Sequence, residues 1–153
     1  MRSAFTLVEI LIVVVILGIL AAVVIANLSG ASEPARQGSF VYELKYFVDQ
    51  AEIYRARTGQ YLPDGGSGTL PAGFEDYVDA EDWENGTPIG GVWDTEFNDN
   101  GVTAALGVHF NGQGQTRDDA YMTQVDALFD DGDVNTGVFR KLAGDRYYYV
   151  MAD

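Results

Sequence analysis

The feature that most limits how this chain can fold is the run SAFTLVEILIVVVILGILAAVV, which begins at Ser3. Residues 10–26 carry no charge, and widening the stretch to 5–28 adds Thr6, Glu9 and Asn27 as interruptions, of which only Glu9 is charged. As a helix rising about 1.5 Å per residue, this stretch is roughly 36 Å long, against a hydrocarbon core of about 30 Å. It is therefore expected to span a bilayer. A cleaved secretory signal is the competing reading and would require a shorter apolar core with a small-residue cleavage site, for which Ala21, Ala22 and Ala26 are candidates. Arg2 precedes the run while acidic residues dominate after it, which places the N-terminus in the cytoplasm and the remainder outside.

Glu9 is the anomaly in that run. A carboxylate near the membrane interior costs about 2.5–3.5 kcal/mol on insertion scales. Either Glu9 lies close enough to the interface to be hydrated, or a positive group arrives from another subunit; the run itself contains no Lys or Arg.

Taken with its flanks, AFTLVEILIVVVILGILAAVV resembles the processing and assembly signal of type IV pilins and type II secretion pseudopilins, in which a short basic leader precedes Phe-Thr-Leu-(Ile/Val)-Glu. The resemblance implies cleavage by a prepilin peptidase between Ala4 and Phe5 and N-methylation of the new Phe5 amine. It also implies that this amine pairs with Glu9 of a neighbouring subunit during filament assembly. The chain has Ala4 where the family normally has Gly, Ala26 where a helix-breaking Pro is common, and a leader, 1–4, that is short and weakly basic. Implied partners are other copies in a helical filament, the prepilin peptidase and methyltransferase, the inner-membrane assembly machinery, minor pilin-like subunits and, before assembly, the membrane. The implied location is the inner membrane as a single-pass precursor with its head outside the cytoplasm, then a periplasmic or extracellular filament.

Composition narrows the rest. A formal charge of −14 with no run of Lys or Arg argues against nucleic acid as a partner, since nothing would follow a phosphate backbone. The absence of cysteine excludes a disulfide framework and a Cys-based zinc site. Beyond the apolar run roughly 120 residues remain, enough for one small domain with a single core.

Within NLSGASEPARQGS, Pro34 cannot donate a helical hydrogen bond, so a bend or a helix restart with Ser32 as N-cap is expected. Phe40, Leu44, Phe47, Val48, Ala51 and Tyr54 then recur at three- and four-residue spacing, predicting an amphipathic helix that Gly59 ends. The following stretch, to Gly91, is dense in Gly, Pro and acidic residues and reads as a long connection held by Phe74, Tyr77 and Trp83. GVWDTEF and VTAALGVHF, separated by a turn at Asn98-Asp99-Asn100-Gly101, read as two antiparallel strands. Thr116 and Asp119 form a capping-box pattern ahead of the short helix DAYMTQVDALF, and VFRKL with RYYYVM makes a last hairpin about Gly144-Asp145. In the Tyr147-Tyr148-Tyr149 run, alternation is expected to bury Tyr148 and expose its neighbours. The fold class is α+β and pilin-like, a long N-terminal stalk helix, kinked near Pro34, on an antiparallel sheet of about four strands. The expected division is a leader at 1–4, a membrane and filament-core helix at 5–28, its amphipathic continuation at 29–59 and a globular head at 60–153.

The strongest polar cluster is DALFDDGDVNTG, which gathers Asp126, Asp130, Asp131, Asp133, Asn135 and Gly137. Alternating oxygen side chains at Asp131, Asp133 and Asn135 suit a hard cation such as calcium, although the Gly and Glu positions of an EF-hand are Thr136 and Leu142 here. The alternative is a solvated acidic turn. Major pseudopilins hold calcium in a loop of the C-terminal region, so the resemblance implies this cofactor without fixing its ligands. No catalytic residue is expected: His109 is the sole histidine and alternates with apolar neighbours, and no nucleophile elbow or phosphate loop is present. A structural filament subunit, not an enzyme, is the expectation, and the alternative is a bitopic anchor presenting a binding module outside the membrane.

Overall fold

In the computed structural model residues 7–153 are described, the side chains of 20–31 excepted. The first helix, α1, is Leu7–Thr58, followed by α2 (Ala80–Glu84), β1 (Val92–Asp99), β2 (Val102–His109), α3 (Asp119–Asp126), β3 (Phe139–Ala143) and β4 (Arg146–Ala152). The chain divides into two units, 1–35 and 36–153.

In the first unit the thirteen residues from 7 to 19 are all exposed, the large apolar side chains by 51–83%. Apolar residues occupy every side of the helix here, so no single face can be turned inward. Among the described residues no helix is long and apolar enough to cross a membrane. Within the expected span the described side chains run from Leu7 to Ile19, and the rest of it, with Phe5 and Thr6, lies outside them.

The helix restart expected at Ser32 does not occur, because α1 continues as one helix past Pro34. Proline in a helix interior costs about 3 kcal/mol and removes one hydrogen bond. A helix of 52 residues retains its other bonds on both sides of that gap.

In the second unit the amphipathic pattern gives the face it predicts: Phe40, Leu44, Phe47, Val48 and Ala51 are buried, and Tyr54 packs at their margin. Phe40 stacks on Trp93 at 5.3 Å between ring centroids, and Phe47 meets Trp83 and Trp93 edge-on at 5.1 and 5.0 Å. The helix ends where Gly59 donates its N–H to Arg55 O at 2.8 Å. The connection to β1 is held as expected by Phe74 and Trp83, both fully buried, with Tyr77 stacked on Phe74. It also contains α2, capped by the Asp79 carboxylate, which accepts from Glu81 N.

The sheet is antiparallel with strand order β1-β2-β4-β3. Its register separates two faces. Trp93, Leu106, Val108, Phe139 and Tyr147 join the main core, whereas Ala105, Tyr148 and Val150 form a smaller cluster with Val102. Both hairpins fall where the sequence places them. Two local expectations need correction. The N-cap of α3 is Asp118, accepting from Tyr121 N at 2.9 Å, so Thr116 is not the cap: the aspartate directly before the first helical residue reaches the open N–H groups first. Tyr147 is buried along with Tyr148, because its hydroxyl reaches the first turn of α3 at Asp119 while Tyr148 is covered on the opposite face.

Candidate functional site

Three polar constellations stand out, and each is built differently. The first is the N-terminal motif. Ala4 and Phe5 lie outside the described residues, whereas Glu9 is an exposed acidic residue in the first turn of α1.

The second constellation lies on the sheet face opposite the main core. Asp94, buried in β1, accepts from Ser67 Oγ at 2.9 Å and from the Tyr148 hydroxyl at 2.7 Å. Arg146 pairs with buried Glu96 and sits 3.5 Å from Asp94. Ser67 Oγ is also 2.8 Å from His109 Nδ1, and His109 Nε2 is 3.4 Å from Asp145 Oδ1. Serine, histidine and aspartate are thus brought together, but the hydroxyl proton goes to Asp94, so Ser67 accepts from the imidazole instead of yielding a proton to it. That polarity is the reverse of an activated nucleophile. The network anchors the 62–70 segment to the sheet, and burial followed by the Asp94 charge pushes the Tyr148 phenol pKa up.

The third constellation is the acidic loop after α3. Asp126 is fully buried at the end of the helix, and carboxylate oxygens of Asp126, Asp130 and Asp131 all lie within 4.8 Å of one another. Asp130 Oδ2 accepts from Val138 N and Phe139 N at 2.6 and 2.9 Å, which ties the loop to the start of β3. Asp131 accepts from Asp133 N at 2.9 Å and Thr136 Oγ1 at 2.7 Å, and the Thr136 hydroxyl, then the Asp133 amide, hold its carboxyl below the usual range. Gly137 has φ 71°, and a Cβ there would lie less than 3.0 Å from the Asp130 and Asp131 carboxylates. A side chain at this position would have to displace the acids.

Asp126 differs from its neighbours. Neither of its carboxylate oxygens has a hydrogen bond. The Gly132 and Asp133 amides face it and partly offset the penalty, but neither closes a bond of normal geometry. Burial, then the charges of Asp130 and Asp131, push its pKa up to about 6. Of the residues proposed from sequence as calcium ligands, Asp131 joins this cluster. Asp133 and Asn135 are exposed and bonded to each other through Asn135 Nδ2 and Asp133 Oδ1 at 2.8 Å. Asp126 and Asp130, which complete this cluster, fall outside the alternating pattern. The available signal was their four-residue spacing at a helix end beside buried Met122 and Val125.

Residues 1–25 match the family described as Prokaryotic N-terminal methylation motif. Over 60 residues the chain is 38% identical to Type II secretion system core protein G of Aeromonas hydrophila, an alignment that covers 39% of this chain and 42% of that protein. It is 39% identical over 60 residues to the protein of the same name from Dickeya chrysanthemi, covering 39% of each. The chain therefore spans about two fifths of the length of these curated relatives. No solved structure matches it.

Proposed function

We propose that the chain is a structural subunit of a pilin-like filament, of the type II secretion pseudopilus kind, anchored in the inner membrane before assembly and periplasmic afterwards. The observation that carries this reading is the methylation motif at 1–25 joined to a helix whose apolar side chains between 7 and 19 are exposed on every side. An apolar surface of that extent needs lipid or protein to cover it, and a helical array of identical stalks can replace lipid with protein. In this reading the prepilin peptidase cuts between Ala4 and Phe5, and the methylated Phe5 amine pairs with Glu9 of the neighbouring subunit. The similarity to the two core G proteins supports the pseudopilus over an extended pilus. N-terminal mass spectrometry of the chain from its native host tests this. A chain beginning at methylated Phe5 is expected, and an intact Met1 or a cut after Ala22 would refute it.

The acidic loop is the metal site of the same reading, with Asp126, Asp130 and Asp131 as the residues that would hold calcium. Three carboxylates form a hard oxygen donor set, and a buried carboxylate without a hydrogen bond is a group that a cation would satisfy. Bound calcium would neutralise these charges and fasten the loop between α3 and β3, a role that no disulfide can fill in a chain without cysteine.

A further inference from the structure

We propose that the groove between α1 and the α2 segment is a docking site for an arginine side chain presented by a different, basic polypeptide. The groove has a volume of about 540 Å³ and lies wholly within the second unit. Tyr42 and Tyr46, one helical turn apart, line one wall and are 75% and 37% exposed. Glu43 lies between them in sequence, and Asp82, Thr87 and Pro88 line the facing side.

Aromatic faces beside carboxylates are the chemistry that selects a guanidinium. Its plane stacks on tyrosine and its fork of N–H groups meets carboxylates. The two acids come from separate elements, α1 and α2, and converge on the same space. Burial raises the Glu43 pKa, and the Asp82 charge adds to that rise, which places the second carboxylate close enough to act on the first. The chain's own cations are engaged elsewhere. Of the nine Lys and Arg, Arg2 lies outside the described residues, and the other eight each have a contact within the chain, such as Arg146 with Glu96, Lys141 with Asp119 and Arg57 over the Tyr77 ring. With a formal charge of −14, a second copy is a poor source of the cation, and a basic partner is electrostatically steered to this surface. The inference does not depend on the filament reading.

The test uses the full chain in non-ionic detergent micelles, labelled with 3-fluorotyrosine, with the Tyr42 and Tyr46 resonances assigned through Tyr→Phe variants. The probes are the peptides Ac-Ala-Arg-Ala-NH2 and its neutral citrulline analogue, titrated to about 20 mM, above the millimolar Kd suited to a one-residue contact. Saturable shifts of both resonances with the arginine peptide, little response to citrulline, and at least about tenfold weaker binding by Glu43→Gln/Asp82→Asn are expected. An equal response to citrulline, no response to arginine, or unchanged binding by the double variant would overturn the proposal. Shifts of the same resonances with protein concentration alone would identify the occupant as a second copy and overturn it too. The wild-type peptide comparison does not require either variant to fold.

Discussion

Asp126→Asn is the most informative single change in the acidic loop. The substitution keeps the shape of a fully buried side chain and removes its charge. Burial and the adjacent Asp130 and Asp131 charges raise the folded-state pKa from the ordinary 3.8 to about 6. A shift of about two units is worth about 3 kcal/mol at 1.36 kcal/mol per unit. Between the two values the folded chain holds a proton that the unfolded chain has lost, so stability falls as pH rises from about 4 to about 6 and then levels off. Without metal, the Asn variant should match wild type near pH 4 and exceed it by up to about 3 kcal/mol at pH 7. Asp119 and Asp131 have lowered pKa values, the first chiefly through Lys141 and the second chiefly through Thr136, and their stabilisation is lost instead as pH falls through those values. The difference between the two proteins removes the Asp119 contribution, whereas Asp131, coupled to Asp126, remains part of the difference.

Calcium should offset most of that difference. At about 100 times its Kd, a ligand that binds only the folded state adds about 2.7 kcal/mol, and wild type should gain this while the Asn variant gains little. Urea titrations of the full chain in non-ionic micelles, followed through the fluorescence of buried Trp83 and Trp93, read both effects. Parallel pH profiles for the two proteins would refute the buried-carboxylate argument. Equal stabilisation by calcium would refute the assignment of Asp126 as a ligand.

Other expectations follow from packing and from the N-terminal motif. A Cβ on Gly107 would lie less than 3.0 Å from the Tyr147 carbonyl oxygen and from Tyr148 Cα, so Gly107→Ala should cost about 3 kcal/mol or more in urea denaturation by prising β2 from β4. Phe40→Ala removes a ring packed on Trp93 and Phe139 and should cost about 3–5 kcal/mol by the same assay. Glu9→Leu should insert into membranes normally yet enter filaments at least about tenfold less well when co-expressed with wild type, because breaking a buried ion pair costs about 3–5 kcal/mol. Equal incorporation, measured by quantitative mass spectrometry of sheared filaments, would count against the amine pairing.

The strands were legible because alternation has a strict period of two and Gly144-Asp145 and Asn100-Gly101 punctuate it. The buried face of α1 was legible for the matching reason at a period near 3.6. What the periodicities do not encode is which surfaces have a second cover. Tyr147 and Tyr148 point to opposite faces, and both are buried because α3 reaches one and the Ser67 segment covers the other. Pro34 shows the converse limit, since a residue that disfavours helix is overridden by the long helix around it. The acidic loop was visible as composition, but the distinction between Asp126 and its exposed neighbours depends on how the end of α3 meets the core.

The placement of charge explains why an acidic chain of this size can hold buried carboxylates at all. Asp94 and Glu96 lie inside, with Arg146 beside them and hydroxyl groups from Ser67 and Tyr148, so the fold supplies its own counter-charge on that face. In the loop after α3 the partners of Asp130 and Asp131 are backbone amides and the Thr136 hydroxyl, none of them a counter-charge; Asp126, Asp130 and Asp131 crowd together and raise the protonation point of the most buried one. Glu43, half-buried in the tyrosine groove, has its pKa raised by burial and then by the Asp82 charge. A buried or half-buried carboxylate persists if a cation arrives or a proton stays. The two external cations proposed, calcium in the loop and a guanidinium in the groove, therefore answer the same electrostatic requirement at sites of different shape. The crowded oxygens in one favour a compact ion, and the exposed aromatic faces in the other favour a flat one.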